Sequence, residues 1–214
     1  MQLLYNDIGH TYRTTRRADP AIAKTLADLL ELQEDRRFLD LACGTGNHTD
    51  ALASIGGNWY GCDISEVMVN QARLKNSTID WKLSKADSLP YQNGYFDGAM
   101  CILAFHHFPD LFQPFQEVHR VLNHGAFVLF TAFPDRMREY WLCHYFPEMM
   151  KSSIAQMPAQ ELVTASLRSA GFEIEKITPF YVTNEMQDLF CIPGKIVPNG
   201  SGQYIFVCFA LLRC

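Results

Sequence analysis

The sequence predicts an α/β fold, a doubly wound and mostly parallel sheet with helices on both faces. Three observations support this prediction. The strand predicted at residues 36–42 contains a short apolar run that starts at Phe38. A glycine turn and a helical segment follow it, and together they open a nucleotide-binding βαβ unit. Residues 95–103 are almost continuously apolar, as an interior parallel strand should be. Strand-like runs and helical segments then alternate along most of the chain.

Length and composition indicate a single domain over residues 1–214. Of these residues 48% are hydrophobic, which suffices for a sizeable core. No apolar run reaches the roughly 18 residues of a membrane span, and residues 1–7 lack the pattern of a signal peptide. The seven cysteines form no C-x-x-C pair and lie mostly in apolar runs, which is typical of reduced thiols in the cytoplasm.

The charge balance bears on the partner. The net charge is −5 and no basic run exceeds two residues. This disfavours nucleic acid as the main partner and allows a small polar molecule. We expect a cytoplasmic monomer or homodimer that acts on a small molecule.

The glycine turn after the first strand leads into a helix. Gly44 and Gly46 allow a backbone path where a Cβ would clash. The helix is predicted over residues 47–55, with Asn47 or Thr49 as its N-cap.

This turn differs in two ways from a dinucleotide site. The third position of G-x-G-x-x-G is Thr49, and Asp40 enters the loop where a pyrophosphate would approach the helix. An anion at Asp40 would repel a phosphate and attract a cation. Since S-adenosylmethionine carries an ammonium and a sulfonium but no phosphate, the turn favours it over NAD.

The remaining elements follow from periodicity and boundary residues. Asp19-Pro20 begins a helix whose apolar residues share one face. Residues 139–150 are aromatic and methionine-rich, and they either cover an apolar or planar substrate or form a helix packed on the sheet. Residues 184–202 are expected to be irregular. The further predicted elements are helices at 21–33, 67–76, 113–122 and 158–170 and strands at 58–63, 79–83, 127–131, 173–181 and 204–212.

Asp63 closes the second predicted strand. It lies 17 residues after Gly46, close to the spacing of a carboxylate that accepts ribose hydroxyls. A carboxylate suits this task because it can accept two O–H donors at once. The alternative is that Asp63 only caps the helix that follows.

Four separated motifs, over about residues 5–182, resemble those of the class I S-adenosylmethionine-dependent methyltransferases. The similarity is to the ubiquinone-biosynthesis and trans-aconitate group, the methyltransferase type 11 domain. Residues 39–46 match L-D-x-G-C-G-T-G except that Ala42 replaces the first glycine. Residues 84–90 resemble G-D-A-x-x-L-P, residues 104–110 resemble A-L-H-H-F-x-D, and residues 117–126 resemble E-x-x-R-V-L-K-P-G-G.

The resemblance implies a single Rossmann-like domain with a seven-stranded sheet. The implied strand order is 3-2-1-4-5-7-6 with strand 7 antiparallel. In the family the segment before the first helix often forms a lid over the cofactor, here residues 1–19, and inserts such as residues 134–158 often cover the substrate. Ala126 replaces the second glycine of the last motif, so Gly125 is expected to supply the freedom of that turn.

The resemblance also implies a set of residues that bind S-adenosyl-L-methionine. Arg16 would pair with the cofactor carboxylate, Ile64 and Met68 would sandwich adenine, and Asp87 would accept the adenine amino group. The Ser88 N–H would face a ring nitrogen. Backbone near Leu103 would accept the ammonium. The full implied set is Tyr12, Arg16, Asp40, Ala42, Gly44, Gly46, Asp63, Ile64, Met68, Asp87, Ser88 and Leu103, and Tyr5 is a further aromatic lid position.

His106 and His107 are weak candidates for a catalytic base. Adjacent histidines point in different directions, and no third ligand has suitable spacing, so we expect no metal site. The alternative for both histidines is packing or loop hydrogen bonding.

The expected activity is methyl transfer to a small molecule by in-line displacement. The sequence leaves open whether O, N, C or S is methylated. The alternatives are a cofactor-binding protein without turnover and an NAD-type oxidoreductase, which Asp40 and Thr49 oppose. An RNA or protein methyltransferase is a third alternative, but residues 101–104 lack an N-P-P-Y-like tetrad.

Overall fold

The computed structural model describes residues 18–140, 142–182 and 204–213. The helices among them are α1 (Pro20–Leu30), α2 (Asn47–Ala53), α3 (Glu66–Lys75), α4 (Phe112–Val121), α5 (Pro134–Met137), α6 (Leu142–Tyr145), α7 (Pro147–Ala155) and α8 (Gln160–Ser169), with a 3₁₀ turn at Phe105–His107. The strands are β1 (Arg37–Leu41), β2 (Asn58–Asp63), β3 (Asp80–Leu83), β4 (Phe96–Ile102), β5 (Leu122–Thr131), β6 (Glu173–Val182) and β7 (Tyr204–Arg213). None of these helices has the length and hydropathy to cross a bilayer.

The described strands form one sheet in the order β3-β2-β1-β4-β5-β7-β6. β7 is antiparallel to both β5 and β6, and the pairs among β1 to β5 are parallel. This confirms the predicted fold. The carboxyl ends of β1, β2 and β4 therefore meet at one edge, where ligands of such sheets bind.

The core lies on both faces of the central strands. Along β4 and β5, side chains alternate between two apolar clusters, as the strand period of two requires. Cys101 and Leu129 belong to one cluster, whereas Met100 and Phe130 belong to the other. All four are essentially buried. Because both faces are covered, β4 has the continuous apolar character that the sequence displays.

The turn before β5 differs from the prediction. The strand begins directly at Leu122, with no separate turn after α4, and the left-handed residue is His124 at φ 54° rather than Gly125. Gly125 is needed for a different reason. A Cβ there would lie 2.0 Å from the backbone oxygen of Asp97, so only glycine allows β4 and β5 to approach at this point.

The aromatic segment at residues 139–150 contributes to α6 and α7. Met137 and Met150 form a small cluster with Ala132, apart from the two main ones. Tyr145 and Phe146 are about half exposed at 54% and 52%. The segment thus forms short helices around its own cluster rather than one helix packed on the sheet.

Candidate functional site

The turn after β1 is built from left-handed residues. Ala42, Gly44 and Gly46 have φ values of 56°, 55° and 68°. Gly46 is itself the N-cap of α2, and no side chain caps that helix, so the prediction of Asn47 or Thr49 as cap is wrong. A Cβ on Gly46 would lie 2.3 Å from the Trp81 ring. The turn therefore depends on glycine both for its backbone angles and for its packing on β3.

Thr49 and Asp40 form a buried pair behind this turn. The Thr49 hydroxyl donates to Asp40 Oδ2 at 2.6 Å, and Asp40 is 2% exposed. Oδ1 of Asp40 is buried and has no partner among the described residues. Burial raises the pKa of Asp40 to about 7. Asp40 is thus placed to brace the turn, which differs from the prediction that its charge would face the ligand.

Replacing Asp40 by Asn should change how stability depends on pH. The carboxyl has a pKa of 3.8 when solvated and about 7 when folded, so the folded state holds an extra proton between these values. The contribution of Asp40 to stability therefore falls as pH rises through this interval. Relative to wild type, Asp40→Asn should gain unfolding free energy between about pH 5 and about pH 8, as measured by urea unfolding. An equal difference at both pH values would contradict this.

A cavity of about 920 Å³ lies at the carboxyl ends of β1, β2 and β4. The predicted residues that line it are Ala42, Gly44, Asp63, Ile64, Met68, Asp87, Leu103 and His107. Asp40, Gly46, Ser88 and His106 do not line it. Tyr5, Tyr12 and Arg16 lie outside the described residues. A Cβ on Gly44 would meet nothing within 4 Å, so the turn leaves open space on its cavity side.

Asp63 holds the two sides of the cavity together. Its Oδ2 accepts the Gly44 N–H at 2.9 Å and its Oδ1 accepts the Ser65 N–H at 2.8 Å. Ser65, not Asp63, is the N-cap of α3, so the simple capping alternative is wrong. Burial raises the pKa of Asp63, which the backbone hydrogen bonds oppose. The Ile64 N–H is a third backbone group that interacts with the Asp63 carboxylate. Because a carboxylate offers about four lone-pair sites, Asp63 can still accept a hydrogen bond from a hydroxyl group of a ligand.

Of the four residues predicted to contact adenine, Ile64, Met68 and Asp87 line the cavity. Ile64 is exposed at 45% toward the cavity, whereas Met68 is buried at 2% and contributes to its floor. The Asp87 side chain is exposed and lines the wall. The Ser88 N–H donates to the Lys85 carbonyl at 3.3 Å, and its contact with an adenine ring nitrogen stays a prediction.

The end of β4 forms the opposite wall. Leu103 is left-handed at φ 49°, and its N–H donates to the Phe130 carbonyl at 2.8 Å. The rings of His106 and His107 lie 3.9 Å apart between centroids. Burial lowers the pKa of both imidazoles, that of His106 to about 4. Among the described residues no cluster of His, Cys, Asp and Glu could hold a metal ion.

Some cavity contacts were not predicted from the sequence. Lys75, at the end of α3, donates to the Thr45 carbonyl at 2.8 Å and to the Asn47 side chain. Both partners line the cavity, as does His48, whose pKa burial lowers to about 4. Nothing in the local pattern identifies Lys75, which lies 30 residues from Thr45. A second group of lining residues, Phe108, Pro109, Asp110, Gln113 and Pro114, lies in and just after the A-F-H-H-F-P-D motif.

Comparison with known proteins identifies the family. The profile of the Methyltransferase domain family matches residues 39–130. A solved structure from Anabaena variabilis ATCC 29413, assigned as a methyltransferase of an antibiotic biosynthesis pathway, is 30% identical with a TM-score of 0.72. The alignment covers 79% of this chain and 68% of that one.

The chain spans different shares of the length of two curated relatives. The demethylmenaquinone methyltransferase of Chlorobaculum tepidum is 28% identical over 73% of this chain and 74% of its own length. The 24-methylenesterol C-methyltransferase 2 of Oryza sativa subsp. japonica is 36% identical over 53% of this chain but only 33% of its own length. The strand order and the cavity at the switch point of the sheet agree with these relatives. The chain therefore belongs to the class I methyltransferases, whose cofactor is S-adenosyl-L-methionine.

Proposed function

We propose that this chain transfers the methyl group of S-adenosyl-L-methionine to a small-molecule acceptor. The observation that carries the proposal is Asp63, a carboxylate with spare acceptor capacity at the end of β2, facing the open side of the Gly44 turn. When bound, the cofactor supplies a methyl group activated by a sulfonium, whose thioether leaves without needing a proton. The chain's own residues then need mainly to hold the reactants in line, which can contribute about 7–11 kcal/mol.

Each wall of the cavity takes one part of the cofactor in this proposal. Asp63 accepts the ribose hydroxyls, and Ile64 and Met68 contact the adenine faces. Asp87 accepts the adenine amino group. Backbone carbonyl groups near Leu103 accept the ammonium, because the Leu103 N–H is already paired with Phe130. Tyr12 and Arg16, which lie outside the described residues, are proposed to contact the cofactor.

The acceptor is proposed to be a small, largely apolar molecule. Phe108, Pro109 and Pro114 give the cavity wall beyond β4 an apolar character. Residues 134–158 are proposed to cover it. The net charge of −5 argues against a polyanionic acceptor. We propose a cytoplasmic monomer or homodimer, a location consistent with the free state of the described cysteines.

The test combines binding with turnover. S-Adenosylmethionine should bind saturably in calorimetry, and S-adenosylhomocysteine should compete with it. Methyl-labelled cofactor is then incubated with a panel of phenols, quinols, amines, thiols and short RNAs. Transfer of label to a small molecule supports the proposal. Saturable binding with no transfer to any acceptor supports the alternative without turnover, and binding of NAD in place of S-adenosylmethionine overturns the assignment.

His107 is the stronger candidate for a base, since it lines the cavity and His106 does not. Burial lowers the pKa of His107 below its usual 6.5, so the imidazole is neutral at pH 7 and can accept a proton. We expect kcat/KM to be level near neutral pH and to fall only as pH drops through this lowered pKa. His107→Gln should remove the acidic limb from the pH–rate profile, whereas His106→Gln should keep it. An unchanged limb in His107→Gln would exclude this role.

A further inference from the structure

The proposed function gives no role to Glu117 and Arg120, two residues of α4 that belong to the motif at residues 117–126. Glu117 and Arg120 form a two-point ion pair on one face of that helix. Arg120 Nε lies 2.7 Å from Glu117 Oε1, and Arg120 Nη2 lies 2.7 Å from Glu117 Oε2. The two side chains are 20% and 30% exposed. Such fork-to-fork pairing fixes the orientation of both groups.

The pair also binds the backbone of the loop between β3 and β4. Glu117 Oε2 accepts the Leu89 N–H at 2.8 Å, and Arg120 Nη2 donates to the Leu89 carbonyl at 3.1 Å. Arg120 Nη1 donates to the Tyr91 carbonyl at 2.8 Å and to Asn93 Oδ1 at 2.9 Å. The Gly94 N–H donates to the Arg120 carbonyl at 3.0 Å. The loop is therefore held on both sides of Pro90 by two side chains of one helix.

The held loop is the one that carries Asp87. Asp87 lies two residues before Leu89, and its own side chain is exposed in the cavity wall. Leu89 is 5% exposed, so the loop is anchored at Leu89, and the Ser88 N–H closes a turn on the Lys85 carbonyl around Asp87. On the same face of α4, one turn before Glu117, Gln113 lines the cavity. The position of Asp87 relative to α4 thus depends on the hydrogen bonds of Glu117 and Arg120.

We infer that Glu117 and Arg120 are positioning residues that fix Asp87 for recognition of the adenine amino group. This rests on the proposed function, which assigns that contact to Asp87. A lysine could replace the charge of Arg120 but not its planar set of donors, which here serve two carbonyl groups, an amide and a carboxylate at once. The pair therefore sets base selectivity through geometry, not through charge.

The experiment compares two ligands that differ at the adenine edge. S-Adenosylhomocysteine and S-inosylhomocysteine are titrated into wild type, Arg120→Lys and the control Arg213→Lys. Arg213 also contacts two carboxylates, those of Glu175 and Glu31, but pairs with Ala126 at the amino ends of the central strands. The readout is the ratio of the two dissociation constants, which does not depend on the fraction of folded protein.

Wild type and Arg213→Lys should prefer the adenine ligand about tenfold or more, as expected for a hydrogen bond to a charged group. Arg120→Lys should reduce the preference to less than about threefold. In an Asp87→Ala background, Arg120→Lys should not change the ratio further, because its effect passes through Asp87.

Two outcomes would overturn different claims. If Arg120→Lys retains the wild-type preference, or still lowers it in the Asp87→Ala background, the positioning role is wrong. If wild type binds neither ligand, or binds both equally, the assignment of Asp87 in the proposed function fails and the positioning role fails with it.

Discussion

Asp63→Ala should weaken the binding of S-adenosyl-L-methionine by about 100-fold or more. Hydrogen bonds to a charged acceptor are worth about 1.5–3 kcal/mol each, and the proposed site makes two of them to ribose. The substitution also releases the N–H groups of Gly44 and Ser65, which Asp63 holds at 2.9 and 2.8 Å. The loss therefore combines missing ligand contacts with a less ordered turn. Isothermal titration calorimetry measures the dissociation constant directly.

Two further variants separate the causes. Asp63→Asn keeps one acceptor oxygen and should fall between wild type and Asp63→Ala. Asp80→Ala removes an exposed carboxylate of the neighbouring strand, paired with Lys82 at 3.6 Å, and should bind as wild type does. If Asp63→Ala binds the cofactor within about threefold of Asp80→Ala, the ribose assignment is wrong.

Gly125→Ala should lower the free energy of unfolding by about 3 kcal/mol or more. A Cβ at this position would lie 2.0 Å from the Asp97 oxygen and 2.5 Å from its carbonyl carbon. Both obstacles are backbone atoms of β4, so no side-chain rotation can relieve the clash. Asp97 is fixed in turn, because its Oδ2 accepts the Arg37 N–H at 2.9 Å. The central strands must therefore separate or the turn must rebuild.

The control for this prediction is Gly56→Ala. A Cβ on Gly56 would meet nothing within 4 Å, and its φ is not in the left-handed region. Its unfolding free energy should stay within about 1 kcal/mol of wild type, with a gain as the commoner direction. Urea unfolding measures both variants, and equal stability of the two would show that β4 and β5 can move apart at little cost.

The sheet could be predicted because its signals are local or belong to recognisable motifs. The apolar run of β4 reflects burial on both faces, and Asp19-Pro20 marked the start of α1, where Asp19 accepts the Ala21 N–H at 2.8 Å. The strand order itself came from the family resemblance. The start of β5 could not be predicted in this way. Leu122 is part of the strand because it pairs with Phe96 of β4, and no local sequence pattern indicates this pairing.

The site could be predicted where a role belongs to one side chain in one motif. Asp63, Asp87 and Gly44 were found in this way and line the cavity. Asp40 and Ser88 were also predicted but do not line the cavity, and groups of the protein itself form hydrogen bonds with them. Asp40 bonds to Thr49, and the Ser88 N–H bonds to the Lys85 carbonyl. A motif shows which residues are present, but it does not show which hydrogen bonds they form once the turn has folded.

The place of β7 in the sheet has a consequence for how the chain acquires its structure. β7 lies between β5 and β6, although some 70 residues separate it from β5 in sequence. Until residues 204–213 arrive, β5 and β6 each present an unpaired backbone edge, which can join a strand of another molecule. Loop closure over such distances also slows folding. We expect the nascent chain to need protection from self-association until β7 is inserted between β5 and β6.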